Sequence, residues 1–513
     1  MSTANRVIKN TGFLYAKMGI TMFISLYTTR LILNSLGASD FGIFNIVGGA
    51  ISMLGFLNAA MASATQRFMS YSEGEGNREK QKSIFNVSFI LHLGISIVVG
   101  ISLLIAGYFF FNGILNIPQN RIFAAKIIYG SLIISTMFTV MTVPYDAAMN
   151  AHENMKYYAI VGIFESFLKL AVAFACVYTS YDKLIVYGTL MAGIPLVSLT
   201  IMRIYCHKHY EECVIAPRTF WEMKLMKEMT SFAGWNLLGT MSVMISQYGL
   251  NIVLNIFHGT IANAAQGISS QVNGQLSVLG GAIKKSINPI ITKSAGAQDQ
   301  NMMIKATIWG TKIVFWGTSI CFLPLLIDTN YILHLWLKQP PTYTLIFCRL
   351  LFSAYLIEQL TLFLPQAIFS IGKIRNCQIA FSLLNCSPII ITFLAFKFFN
   401  APAYTLYVIT LIIYVIRGYT IIYYANALCN ISSKQYFKNV ILRCSIAFLI
   451  PVFTGILIQH LLPESMLRLI LLIIITTLEY CFIIYTIGSN SEEKKFYTQK
   501  IKSLLQKIKH HGN

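Results

Sequence analysis

Apolar residues run along this chain in long blocks rather than in alternation or in narrow helical stripes. Fourteen blocks stand out, at about 11–34, 42–63, 84–111, 121–142, 157–180, 184–205, 230–257, 261–283, 304–327, 343–369, 375–398, 403–427, 439–460 and 466–487. Each reaches the roughly 20 residues that a helix needs to cross a bilayer. An unpaired backbone amide or carbonyl in hydrocarbon costs several kcal/mol, so each block is expected to be helical. That holds even for β-branched stretches such as Leu471 to Thr477, which favour strands in water. The pattern predicts an all-α membrane protein of about fourteen transmembrane helices.

Composition agrees. The 513 residues are 56% hydrophobic and only 11% charged, with a mean hydropathy of +0.63. Soluble domains carry about 25% charged residues. The formal net charge is +20. On a soluble protein this would suggest nucleic acid; here its placement points to membrane lipids instead. With the N-terminus in the cytoplasm, the inner segments hold Arg6, Lys9, Arg67, Arg78, Lys80, Lys82, Lys156, Lys208, Arg218, Lys224, Lys227, Lys284, Lys285 and Lys293, among others. The outer segments hold little beyond Arg121, Lys183, Lys338 and Arg468. Reversal would place about 25 cations outside, against the positive-inside rule. The basic C-terminal tail is then cytoplasmic too, which requires an even number of spans. The expected location is a bacterial inner membrane.

The first block is too long for the core of a cleavable leader and lacks a small-residue cleavage site, so it is expected to remain as a span. The ten cysteines form no CxxC pair and no ligand cluster with histidine, so no metal or cofactor is expected.

Block 1 ends in Asn34-Ser35-Leu36-Gly37 and block 7 near Asn255-Ile256-Phe257-His258-Gly259; a helix rich in small residues follows each. This weak repeat predicts two pseudo-symmetric six-helix bundles, 1–205 and 230–428, joined by a linker at 206–229. Two further helices fill 429–490. Residues 491–513 form a basic amphipathic tail, with Phe496, Ile501, Leu504, Leu505 and Ile508 among lysines, suited to anionic headgroups. The linker, with Trp221, Leu225 and Met226 at helical spacing, is expected to lie on the membrane surface.

Several motifs then narrow the reading. Arg30 precedes Leu31-Ile32-Leu33-Asn34-Ser35-Leu36-Gly37-Ala38-Ser39-Asp40-Phe41-Gly42 at the exit of block 1. Thr65-Gln66-Arg67-Phe68 closes block 2. Val143-Pro144-Tyr145 and Ala151-His152-Glu153 lie between blocks 4 and 5. Asn288-Pro289 and Gly372-Lys373-Ile374-Arg375 stand at the inner ends of blocks 8 and 10. In order and spacing these motifs resemble the polysaccharide flippase branch of the superfamily that also contains the multidrug and toxin extrusion (MATE) transporters. The resemblance covers most of the chain and is weakest after about residue 430. It implies a MATE-like pair of bundles that opens alternately to each face. The cargo it implies is an undecaprenyl-pyrophosphate-linked oligosaccharide.

A charge at bilayer depth costs about 2.5–3.5 kcal/mol or more, so such residues need a cavity, a partner or the interface. Within the blocks basic residues outnumber acidic ones, and no acid occurs before Asp40 or between Glu228 and Asp299. An anionic pyrophosphate suits that balance, since arginine grips phosphate with two donors and lysine acts as a point charge. The candidate cavity cations are Lys17, Arg30, Lys169, Lys312, Arg349 and Arg417. Glu165 and Glu358 are candidates for ion coupling, although Glu165 and Lys169 are also spaced to pair on one helix face. Asn45, Asn58, Gln247, Asn251, Asn263, Gln266, Gln271 and Asn273 are candidate sugar contacts.

The expected function is therefore a lipid-linked oligosaccharide flippase for surface polysaccharide biosynthesis, with a polysaccharide polymerase complex as a candidate partner. The alternative is a cation-coupled multidrug exporter of the same fold. No GxxxxGK[ST] phosphate loop and no large outer loop are present, so neither ATP hydrolysis nor another enzymatic activity is expected.

Overall fold

The structure is a computed structural model that describes residues 3–52, 55–114, 118–337, 340–491 and 493–494. All regular secondary structure among the described residues is helical. The helices are α1 (Thr3–Ser52), α2 (Gly55–Glu75), α3 (Arg78–Phe109), α4 (Ile122–Met141), α5 (Val143–Ala151), α6 (Met155–Tyr178), α7 (Lys183–His209), α8 (Pro217–Phe220) and α9 (Met223–Gly296). They continue as α10 (Gln300–Ile327), α11 (Thr329–Leu337), α12 (Thr344–Gln359), α13 (Leu364–Ile371), α14 (Arg375–Phe399), α15 (Thr405–Cys429), α16 (Ser433–Tyr436), α17 (Arg443–Leu461) and α18 (Met466–Ile483). Every predicted apolar block falls on helix. Ten helices among the described residues are long and apolar enough to cross a membrane, and α12 with α13, bent by 43°, makes an eleventh. Block 1 lies in α1, block 2 runs from the end of α1 into α2, and block 8 lies in α9.

Local sequence sets the helix starts. Asn77, Asn154 and Ser465 each accept a bond from the backbone N–H three residues on, and Asp182 accepts from Leu184 and Ile185. Each satisfies an otherwise unpaired donor of a first turn. Within α9, Gly259 has φ +73° and ψ −169°. No helix contains that conformation and side-chain-bearing residues avoid it, so α9 is two helices meeting at the predicted exit of block 7. By contrast, α1 continues past Asn34–Gly37, where a break is expected. The α12–α13 bend falls just before Pro365, whose missing N–H costs nothing in a first turn.

By contact the chain divides into two compact units. Unit 1 is Met1–Met241, Lys285–Met303 and Phe369–Gln378; unit 2 is Ser242–Lys284, Ile304–Ile368 and Ile379–Asn513. In unit 1, α1 packs on α6, α4 on α7, and α2 on α5. One core joins Met69, Phe85, Tyr145, Met149, Met229 and Phe232. Another joins Val47, Leu103, Ile128, Ile133 and Leu184. In unit 2, α12 packs on α15 and α17 on α18, around cores that include Leu254, Phe347 and Tyr407 and Leu323, Ile327 and Leu472.

The segment after α7 is built into unit 1. Asn86 donates to the Val214 carbonyl and accepts from the Ala216 N–H, both at 2.8 Å, and Cys213 and Leu225 are buried in the unit 1 core. The basic tail beyond Lys494 lies outside the described residues.

Candidate functional site

Unit 1 holds a half-open cavity of about 150 Å³. α1 contributes Lys17, α4 Thr139, α5 Asp146, α6 Tyr158, Gly162 and Glu165, and α7 Pro195 and Ser198. Gly162 is what lets the lysine in. A Cβ there would sit 2.1 Å from Lys17 Cε, so the lysine stem lies directly against the α6 backbone. The ammonium then rests 4.1 Å from the centroid of the Tyr158 ring. Lys285, from the far end of α9, places its Nζ 3.2 Å from the same centroid.

Two ammonium groups thus share one aromatic ring, whose negative face attracts each of them. Neither makes an ion pair among the described residues. Two acids, Asp146 and Glu165, line the same cavity, and Asp146 attracts Lys285. Glu165 bonds to Lys169 at 2.8 Å, one helical turn along α6, and Asp146 has one buried carboxylate oxygen without a hydrogen-bond donor. The lining itself holds one lysine, Lys17, and two carboxylates, Asp146 and Glu165; Lys285 stands over the lining ring of Tyr158, and Lys169 pairs with Glu165. In so small a space between helices, below the dielectric of bulk water, an added anion would gain more from the ammoniums than it would in water. Ligand pockets for whole drug-sized molecules span about 300–1,000 Å³, so this cavity suits a phosphate-sized group.

The structure distributes the sequence-predicted residues unevenly. Lys17 and Glu165 line the cavity and Lys169 adjoins it. Lys312, Arg349, Arg417 and Glu358 all lie in unit 2. Lys312 is almost wholly buried, with its Nζ 2.6 Å from Glu493 and 5.0 Å from the Trp316 ring. Arg417 pairs with Glu358 and also donates to Asn385 at 3.3 Å. Arg349 donates to the Ile327 carbonyl at 3.2 Å. Arg30 stands in α1, but its side chain lies outside the described residues. Of the candidate sugar contacts, Asn58, Asn263, Gln266 and Asn273 each keep a buried amide oxygen without a donor.

Sequence reasoning missed Tyr158, Asp146 and Gly162 as cavity residues and Lys285 as a neighbour of Tyr158. Lys285 counted only as one more inner cation, and Tyr158 sat at the edge of an apolar block. The small residue four positions after Tyr158, on the face opposite Lys17, was the available signal, and it needs a helix pairing to be read.

Residues 16–175, which lie within unit 1, match the model of the family described as MatE. The fold is shared with solved transporters. One is a MOP superfamily transporter from Pyrococcus furiosus, described as having a reverse polarity of its binding pocket that suggests a different function. It aligns with TM-score 0.70 and 12% identity over 85% of this chain and 97% of its own. An outward-facing multidrug resistance MATE family transporter aligns with TM-score 0.70 and 13% identity over 84% of this chain and 97% of its own. MATE in a bent conformation reaches TM-score 0.73 at 12% identity, over 84% and 97%. Among curated proteins, the uncharacterized membrane protein EpsK of Bacillus subtilis (strain 168) is 25% identical over 126 residues. That match spans 24% of this chain and 24% of EpsK, so the chain aligns with only about a quarter of that relative's length.

Proposed function

We propose that this MATE-fold transporter moves an undecaprenyl-pyrophosphate-linked oligosaccharide across a bacterial inner membrane by alternating access. Its termini lie in the cytoplasm, and it supplies surface polysaccharide biosynthesis and its polymerase machinery. The observation that carries this reading is the pair of ammonium groups, Lys17 and Lys285, on the one ring of Tyr158, which lines the cavity. A pyrophosphate would be held there by charge-assisted hydrogen bonds, each worth about 1.5–3 kcal/mol. The sugar would be met by buried amides with open oxygens, while the prenyl chain stays in lipid. A polar path of this kind lowers the barrier that hydrocarbon sets against a sugar.

A cation-coupled multidrug exporter is the second reading, favoured by Asp146 and Glu165 at the same cavity. Proteoliposomes separate the two. Movement of a fluorescent lipid-linked oligosaccharide to the opposite leaflet, lost in Lys17→Ala, supports the flippase. Export of a cationic dye, lost in Asp146→Asn and kept in Lys17→Ala, supports the exporter and overturns the proposal.

A further inference from the structure

At the end of unit 1 that holds the α2 C-terminus, two helices meet backbone to backbone. A Cβ on Gly74 of α2 would lie 1.9 Å from the Lys293 carbonyl oxygen of α9, and a Cβ on Gly296 would lie 1.9 Å from the Tyr71 carbonyl oxygen of α2. The contact is reciprocal and the atoms met are backbone, which cannot swing aside as a side chain can. Any larger residue at either glycine must part the helices.

A charged cluster covers this crossing. His152, in the turn between α5 and α6, stacks on Tyr210 at 4.2 Å. Its Nε2 is 2.5 Å from Glu212 Oε1, and its Nδ1 is 3.5 Å from Glu73 Oε1. Arg78 of α3 reaches Glu73 at 3.0 Å and Glu212 at 3.6 Å. Lys293 of α9 reaches Glu73 at 3.5 Å and Glu153 at 3.9 Å. From α1, Asn10 donates to the Glu153 carbonyl at 3.0 Å.

The two ring nitrogens of His152 therefore both face carboxylate oxygens, which only accept. A neutral imidazole has one N–H and would turn a lone pair toward one of them, whereas an imidazolium donates to Glu212 and turns its second N–H toward Glu73. We propose that this crossing is a latch between the ends of α2 and α9, held by the two glycine contacts and tightened when His152 takes up a proton.

Glu212 stays available for that role. Burial pushes its carboxyl up, but the His152 hydrogen bond, a backbone N–H and Arg78 together hold it below its usual range, so it is ionised wherever histidine titrates. The device is independent of the cargo, and its test needs no substrate.

Hydrogen exchange on the full-length protein in lipid nanodiscs, corrected for intrinsic rates, reads the latch directly. On going from about pH 8 to about pH 5.5, the α2 segment 71–75 and the α9 segment 293–296 of the wild type are expected to gain protection of about threefold or more relative to α17. His152→Gln and Glu212→Gln, which keep the size of the side chains, are expected to abolish that pH response. Gly296→Ala is expected to lose protection at both pH values. A pH response that persists in both His152→Gln and Glu212→Gln overturns the proposal, as does unchanged protection in a folded Gly296→Ala protein.

Discussion

Several basic side chains inside the helices of the two units meet different neighbours. In unit 2, Lys312, Arg417 and Arg468 each find a carboxylate: Glu493, Glu358 and Asp328. In unit 1, Lys17 and Lys285 find the ring of Tyr158, and Lys17 lines a cavity. A cation in a membrane helix is thus not marked as functional by its depth or its type. What decides is whether an acid from elsewhere in the chain reaches it, for a closed pair has no attraction left for a ligand.

That contrast can be broken at several points. The largest effect is expected in the closed pairs. Arg468 and Asp328 are 3% and 0% exposed and 2.5 Å apart, and removal of one partner from such a buried pair costs about 3–5 kcal/mol. Arg468→Ala should lower the melting temperature sharply in detergent, and replacing both residues with apolar ones of similar size should restore much of it. Next comes Lys17→Ala, which should leave the melting temperature nearly unchanged and cut transport about tenfold or more, the equivalent of one charge-assisted bond. Gly162→Ala should cost a few-fold in transport, because the flexible lysine end must leave the α6 backbone; a further Lys17→Ala change should then add less than it does alone. The smallest effect belongs to Lys169→Ala. Its pair with Glu165 is about two-fifths exposed and should contribute under about 0.5 kcal/mol of stability by thermal melting.

The fold was largely legible because hydrocarbon leaves the backbone no alternative to helix, so hydropathy alone located the fourteen blocks. The break at Gly259 was legible from a glycine at a block's end. The site was legible only in part. Lys17 and the Glu165–Lys169 pair could be read from depth and from i,i+4 spacing. The fates of Lys312 and Arg468 could not, because their acids come from 181 and 140 residues away and no local pattern encodes such a meeting. Lys285 was hidden for the same reason: its place over Tyr158 depends on how the end of α9 returns to unit 1.

The most direct measurement is equilibrium binding of a pyrophosphate-linked oligosaccharide lipid to the purified protein in nanodiscs. The wild type would be compared with Lys17→Ala and with the charge-free pair Lys312→Met/Glu493→Leu. If the open lysines of unit 1 receive the headgroup, Lys17→Ala binds about tenfold or more weakly and the unit 2 pair variant binds like the wild type. Wild-type binding by Lys17→Ala would contradict the role given to the cavity.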